Sequence, residues 1–105
     1  MRPHALHVTC PNAATAEAIA DALLGARLVA CAHVQAPHRS RYWWRGRIEA
    51  AEEVALLCKT RADLFDAAAA EARRLHPYEV PGIVGWPLAT TADYAAWIVG
   101  ETRAP

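Results

Sequence analysis

The sequence predicts an α+β fold, a ferredoxin-like split βαβ sandwich with two helices on one face of an antiparallel sheet. Three observations predict it. Stretches of strand period and helix period alternate in the order β-α-β-β-α-β-α. A chain of 105 residues has room for one domain, read as residues 1–105. No repeat, linker or low-complexity tract interrupts the alternation.

The first strand is His4 to Thr9, where Leu6 and Val8 alternate with polar neighbours. Pro11-Asn12 stops it, and Asn12 can cap a helix from about Ala13 to Ala26. Ala16, Ile19, Ala20, Leu23 and Leu24 form the buried stripe of that helix, and Gly25 sits where it would end. Val29 to Val34 is the next apolar run, and Ser40 to Trp44 is extended beyond the interruption at Pro37. Arg45-Gly46 is the turn, and Arg47 to Thr60 returns as a long strand. The proline forces a bend or bulge into this long hairpin, because it cannot donate to a ladder. A second helix spans about Ala62 to Leu75, with Leu64, Phe65, Ala68, Ala72 and Leu75 on one face, and His76-Pro77 ends it. Ile83 to Trp86 is a short last strand. Asp93 to Val99 is a third helix with Tyr94, Trp97 and Ile98 as its apolar side.

Eleven basic residues balance eleven acidic ones, so the formal charge is zero. That argues against a protein held to nucleic acid or an anionic membrane by bulk charge. No stretch approaches the roughly 20 apolar residues of a membrane span. The first residues carry no long apolar segment, which predicts no signal peptide and a cytoplasmic location. Cys10, Cys31 and Cys58 are an odd set without a CxxC pair, expected as free thiols in a reducing compartment. So short a chain buries a modest share of its surface, which favours an oligomer.

Several motifs agree in order and spacing with one family. They are Val8-Thr9-Cys10-Pro11-Asn12, Ala30-Cys31-Ala32, Tyr42-Trp43-Trp44-x-Gly46-x-Ile48-Glu49, Glu53-Val54 and Lys59-Thr60, then His76-Pro77-Tyr78-Glu79-Val80-Pro81 and Asp93-Tyr94-x-x-Trp97. The chain resembles the CutA divalent-cation-tolerance family over nearly its whole length. That resemblance implies a ferredoxin-like homotrimer similar to the PII signalling trimers, an association with copper and other divalent metals, and no established catalytic reaction. It also directs attention to a subunit cleft for ligand, with His76, Tyr78, Glu79 and Lys59 as its residues.

Thiolate and imidazole are the ligands that copper-like ions prefer. Cys31 and His33, two apart on a strand, share a face. If the hairpin pairs without a bulge about Arg45-Gly46, paired residue numbers sum to 91, and His33 lies opposite Cys58. Cys31, His33 and Cys58 would then form one cluster able to hold a divalent metal, without any organic cofactor. The same cysteines also fit small core hydrophobes. Cys10 before a capped helix is placed for a lowered thiol pKa, the basis of an alternative reading as a small thiol enzyme. Tyr42, Trp43 and Trp44 interleave with arginines. That pattern fits either single-stranded nucleic acid or, as zero charge and the resemblance favour, a subunit interface. Trp43 and Trp44 point to opposite faces, so at most one can enter the monomer's own core. The sequence reading is thus a non-catalytic, metal-binding homotrimer with no nucleic-acid or membrane partner. Its rival is a PII-like trimer taking a small anionic metabolite. No glycine-rich phosphate loop supports nucleotide binding.

Overall fold

A computed structural model describes residues 2–104. Its elements are β1 (Pro3–Cys10), α1 (Ala13–Gly25), β2 (Cys31–Val34), β3 (His38–Trp44), β4 (Arg47–Arg61), α2 (Phe65–Leu75), β5 (Ile83–Pro87) and α3 (Ala92–Glu101). A 3-10 turn, Ala62–Leu64, leads into α2. All pairings are antiparallel, in the order β2-β4-β1-β5, and β3 pairs with the distal half of β4. This is the expected mixed α+β sandwich.

Strand alternation sorts side chains between two faces. Leu6, Val8 and Cys10 of β1 pair with Cys58, Leu56 and Val54 of β4, and all six are buried under the helices. Ala16, Ile19, Ala20 and Leu23 of α1, with Leu64, Ala68 and Ala72 from the second helical segment, close that core. Dehydration of this apolar surface is the main term favouring the fold. The opposite face of the sheet carries His7, Leu57, Lys59, Cys31, His33, Val84 and Trp86, and only α3 packs on part of it.

Asn12 caps α1 as expected, its Oδ1 accepting the Thr15 N–H at 2.8 Å. The other end differs. Gly25 is the last helical residue, and the left-handed position falls on Arg27 (φ 57°). The N–H of Leu28 donates to the Leu23 carbonyl and that of Arg27 to Leu24, a Schellman closure with apolar Leu28 folding back on the helix. The Arg27 carbonyl also accepts the Arg103 N–H at 2.9 Å, and the Arg27 guanidinium pairs with Glu101 at 3.0 Å on the surface. Leu24, expected in the buried stripe, is largely exposed. In α3 only Ile98 is fully buried, while Trp97 stacks on Tyr94 at its surface.

The hairpin register follows the expected sum of 91 from Trp44↔Arg47 to His38↔Glu53. It does not continue. In β2 the pairs are Val34↔Leu56, His33↔Leu57, Ala32↔Cys58 and Cys31↔Lys59, a sum of 90. Three residues, Gln35 to Pro37, stand opposite two, and Gln35 N–H reaches the Ala55 carbonyl across this bulge at 2.9 Å. Proline cannot donate to the ladder, so the extra residue is accommodated where pairing is already broken.

Candidate functional site

The one-residue slip breaks up the expected Cys31, His33, Cys58 cluster. A slip of one residue moves every side chain of a strand to the other face. Cys58 therefore points into the core beside Leu6 and Leu56, fully buried, where burial pushes its thiol up to about 12. Cys31 and His33 remain together on the opposite face, half-buried and exposed respectively. The Cys31 Sγ lies 3.8 Å from the Tyr94 hydroxyl. Among the described residues no group of three His, Cys, Asp or Glu side chains is placed to hold a metal ion. What one chain offers a soft metal is this pair.

Lys59, expected in the ligand cleft, does not reach it. Its Nζ donates to Tyr94 Oη at 3.1 Å and lies 5.1 Å from that ring's centroid. Six residues along β4 separate it from the cleft's Glu53, about 20 Å of extended chain.

Tyr78 and Glu79 line a cleft of about 750 Å³ between the β3–β4 hairpin and the loop after α2, whereas His76, expected with them, is not part of its lining. His76 is instead a pin. Its Nδ1 accepts the Tyr78 backbone N–H at 3.1 Å, so its proton sits on Nε2 and is donated to the Thr9 carbonyl at 2.7 Å. With both nitrogens engaged and the ring buried, the imidazole ties the loop to the end of β1. Tyr78 donates its hydroxyl to Glu53 Oε2 at 2.7 Å. Burial first, and this hydrogen bond second, hold the phenol well above the usual tyrosine range. At the mouth Arg45, in the left-handed turn (φ 51°), pairs with Glu79 at 3.0 Å and stacks over Trp44.

Glu53 is the residue that sequence reasoning missed as a site group. It is 4% exposed. The ion pairs among the described residues are Arg27–Glu101, Arg45–Glu79, Arg61–Asp63 and Arg74–Glu71, and Glu53 belongs to none of them. In the sequence it is one glutamate of a Glu52-Glu53 pair on an otherwise solvated hairpin. Only the loop from Pro77 to Gly82, folding over it, makes it an interior carboxylate.

Cys10 is fully buried, its Sγ directed at the Val8 carbonyl. Burial, and then the nearby Glu53 charge, raise its thiol to about 11, the reverse of the activation expected from the helix start. Core packing wins over the helix terminus because Cys10 lies on the helix-covered face of β1. Trp43 and Trp44 occupy opposite faces of β3, and neither enters the core. Trp43 is 71% exposed beside exposed Ile48, its partner across the hairpin.

Residues 4–101 match the family described as CutA1 divalent ion tolerance protein. The chain is 38% identical over 99 residues to the divalent-cation tolerance protein CutA of Pyrococcus horikoshii, spanning 93% of this chain and 96% of that one. It is 37% identical over 95 residues to human protein CutA, covering 90% of this chain and 53% of the human protein. The crystal structure of CutA1 from Oryza sativa superposes with a TM-score of 0.95 at 28% identity, over all of this chain and 97% of the other. That of CutA from Xylella fastidiosa gives 0.93 at 33% identity, covering 98% and 100%.

Proposed function

The chain belongs to the CutA1 divalent ion tolerance protein family, and on that premise we propose that it acts in divalent-cation tolerance as a non-catalytic, cytoplasmic homotrimer binding copper-like ions. One observation carries the reading. Cys31 and His33, the pair of soft donors on one strand, stand on the sheet face that α1 and α2 leave uncovered, the same face that presents Leu57, Val84 and Trp86. Val84 is 52% exposed and Trp86 42%. Apolar surface of this kind contributes roughly 25 cal/mol per Å² when a partner covers it. Assembly through this face would also bring donors from neighbouring chains toward a pair that is incomplete alone. Two ligands do not make a strong metal site, and three or four do.

The thiol-enzyme alternative loses its support, because Cys10 is buried with a raised pKa. The anionic-metabolite alternative is disfavoured by the carboxylate of Glu53 lining the cleft.

The test is native mass combined with titration of the reduced protein by Cu(I) and Cu(II) against a competing chelator. The expected result is a trimer that loses mass to monomer in Trp86→Glu, with stoichiometric copper lost in Cys31→Ser and His33→Ala. A monomeric parent, or copper binding unchanged in both variants, would refute the respective half of the proposal.

A further inference from the structure

The sheet face assigned above to assembly carries a positive charge without an ionic partner. Lys59 stands directly across the β2–β4 ladder from Cys31. Its Nζ donates to Tyr94 Oη at 3.1 Å, and the Cys31 Sγ lies 3.8 Å from that same oxygen. Laid end to end, those two distances put the ammonium no more than about 7 Å from the sulfur. Lys59 belongs to none of the ion pairs among the described residues. Asp93, next to Tyr94 in sequence, turns its Oδ1 to the Tyr94 N–H at 2.8 Å. Among the described residues no carboxylate joins Cys31 and His33 in a group able to hold an ion.

These charges decide what kind of ion the pair can take. A metal-bound cysteine is a thiolate and a metal-bound histidine is neutral. The Cys31 and Lys59 charges therefore cancel before any metal is counted. A divalent ion then adds two positive charges to the site, and a monovalent ion adds one. Tyr94 is neutral and offsets neither. At a separation of about 7 Å, Lys59 weakens binding by roughly threefold per metal charge in water-like surroundings, and by more where water is excluded. The donors point the same way, since soft thiolate favours cuprous copper. A cuprous ion also settles for fewer donors than the four that zinc takes.

We propose that the Cys31 and His33 pair is a site for a monovalent soft ion, cuprous copper, and that Lys59 sets this specificity by repelling divalent ions. This rests on the metal reading above and narrows its copper-like ions to one charge state. It does not require the pair to be complete or open within one chain. Neighbouring copies that cover this face enclose Lys59 together with the pair, and its charge then acts through less water.

The test uses the intact, reduced protein without oxygen, titrated separately with Cu(I) and Zn(II) against competing chelators. Both ions have filled d shells, so they are compared without oxidation of the thiol. The parent should bind Cu(I) more tightly than Zn(II). Lys59→Met and Lys59→Gln both remove the charge, one leaving an apolar and one a polar side chain, so their agreement separates charge from packing. Each should tighten Zn(II) by about tenfold and Cu(I) by only about threefold. Lys59→Arg keeps the charge and should keep the parent's preference. Protection of Cys31 from alkylation, read by peptide mapping, should follow the same order at the site itself. Equal tightening of the two ions in the uncharged variants would overturn the proposal. So would no tightening of either, the result if a neighbouring chain's carboxylate already neutralises Lys59. A parent that holds Zn(II) as tightly as Cu(I) would overturn it as well. Binding of both ions undiminished in Cys31→Ser would instead remove the metal reading itself, which tells the two failures apart.

Discussion

Alkylation of the reduced, native protein with iodoacetamide gives the sharpest check on the fate of the cysteines. The reacting species is the thiolate, so rate follows its population. Cys10 sits at about 11 and Cys58 at about 12, against 9.0 for an unperturbed thiol. At pH 8 an ordinary thiol is then ionised in about one molecule in ten, Cys10 in one per thousand, and Cys58 in one per ten thousand. Cys10 should therefore label about a hundredfold, and Cys58 about a thousandfold, more slowly than free cysteine, and their burial slows both further. Peptide mapping by mass spectrometry reads each site, and labelling in denaturant, where all three thiols become ordinary, supplies the reference. The same shifts fix the alkaline limb of stability. Between pH 9 and the folded values the unfolded chain releases protons that the native one retains, so stability falls as pH rises. The slope is about 1.4 kcal/mol per pH unit for each such thiol, ending near pH 11 for Cys10 and near 12 for Cys58. Cys10→Ser should flatten the lower part of that limb. Labelling of native Cys10 at the rate of free cysteine at pH 8 would refute the argument and restore a nucleophile to consideration.

Gly85→Ala drives a Cβ into the Phe65 ring at Cε1 and to 2.5 Å from the Ala5 carbonyl oxygen. We expect a loss of about 3 kcal/mol in denaturant unfolding at fixed protein concentration. Phe65→Leu should relieve it only in part, since the backbone oxygen stays. His76→Phe leaves the Thr9 carbonyl and the Tyr78 N–H without partners, which should cost about 2 kcal/mol and speed hydrogen exchange in the loop from 77 to 82. The hydrogen bond from buried Arg61 holds the Asp63 carboxyl below its usual range. Its contribution is thus present above the ordinary carboxylate pKa and is lost as pH falls through the depressed one. Asp63→Asn should lower stability near neutrality and make the acid limb shallower in pH-dependent melting; an acid limb identical to the parent's would contradict the pairing.

The elements themselves are written in local periodicity. Leu6 and Val8 at period two, Ala16, Ile19, Ala20 and Leu23 at helical spacing, and Asn12 at a helix start each act through neighbours only a few residues away. Such interactions need no knowledge of the rest of the chain. The motif order around Cys10, Trp43-Trp44 and His76-Pro77 likewise identified the family from sequence alone. The site was less legible. The proline announced a break in the hairpin, but whether it added a residue could not be read locally. That one residue moved Cys58 to the face opposite Cys31 and His33. Lys59 looked like a cleft residue until its strand carried it to Tyr94. His76 looked like a ligand until both its nitrogens were found bonded to backbone. Glu53 entered only as half of the Glu53-Val54 motif and not as a site group, because nothing within several residues of it gives it a chemistry different from Glu49 or Glu52. Its burial comes from a loop more than twenty residues away in sequence. Periodicity determines which face a residue takes within its own strand, whereas register and loop packing determine what that face meets, and those are set by contacts between distant segments.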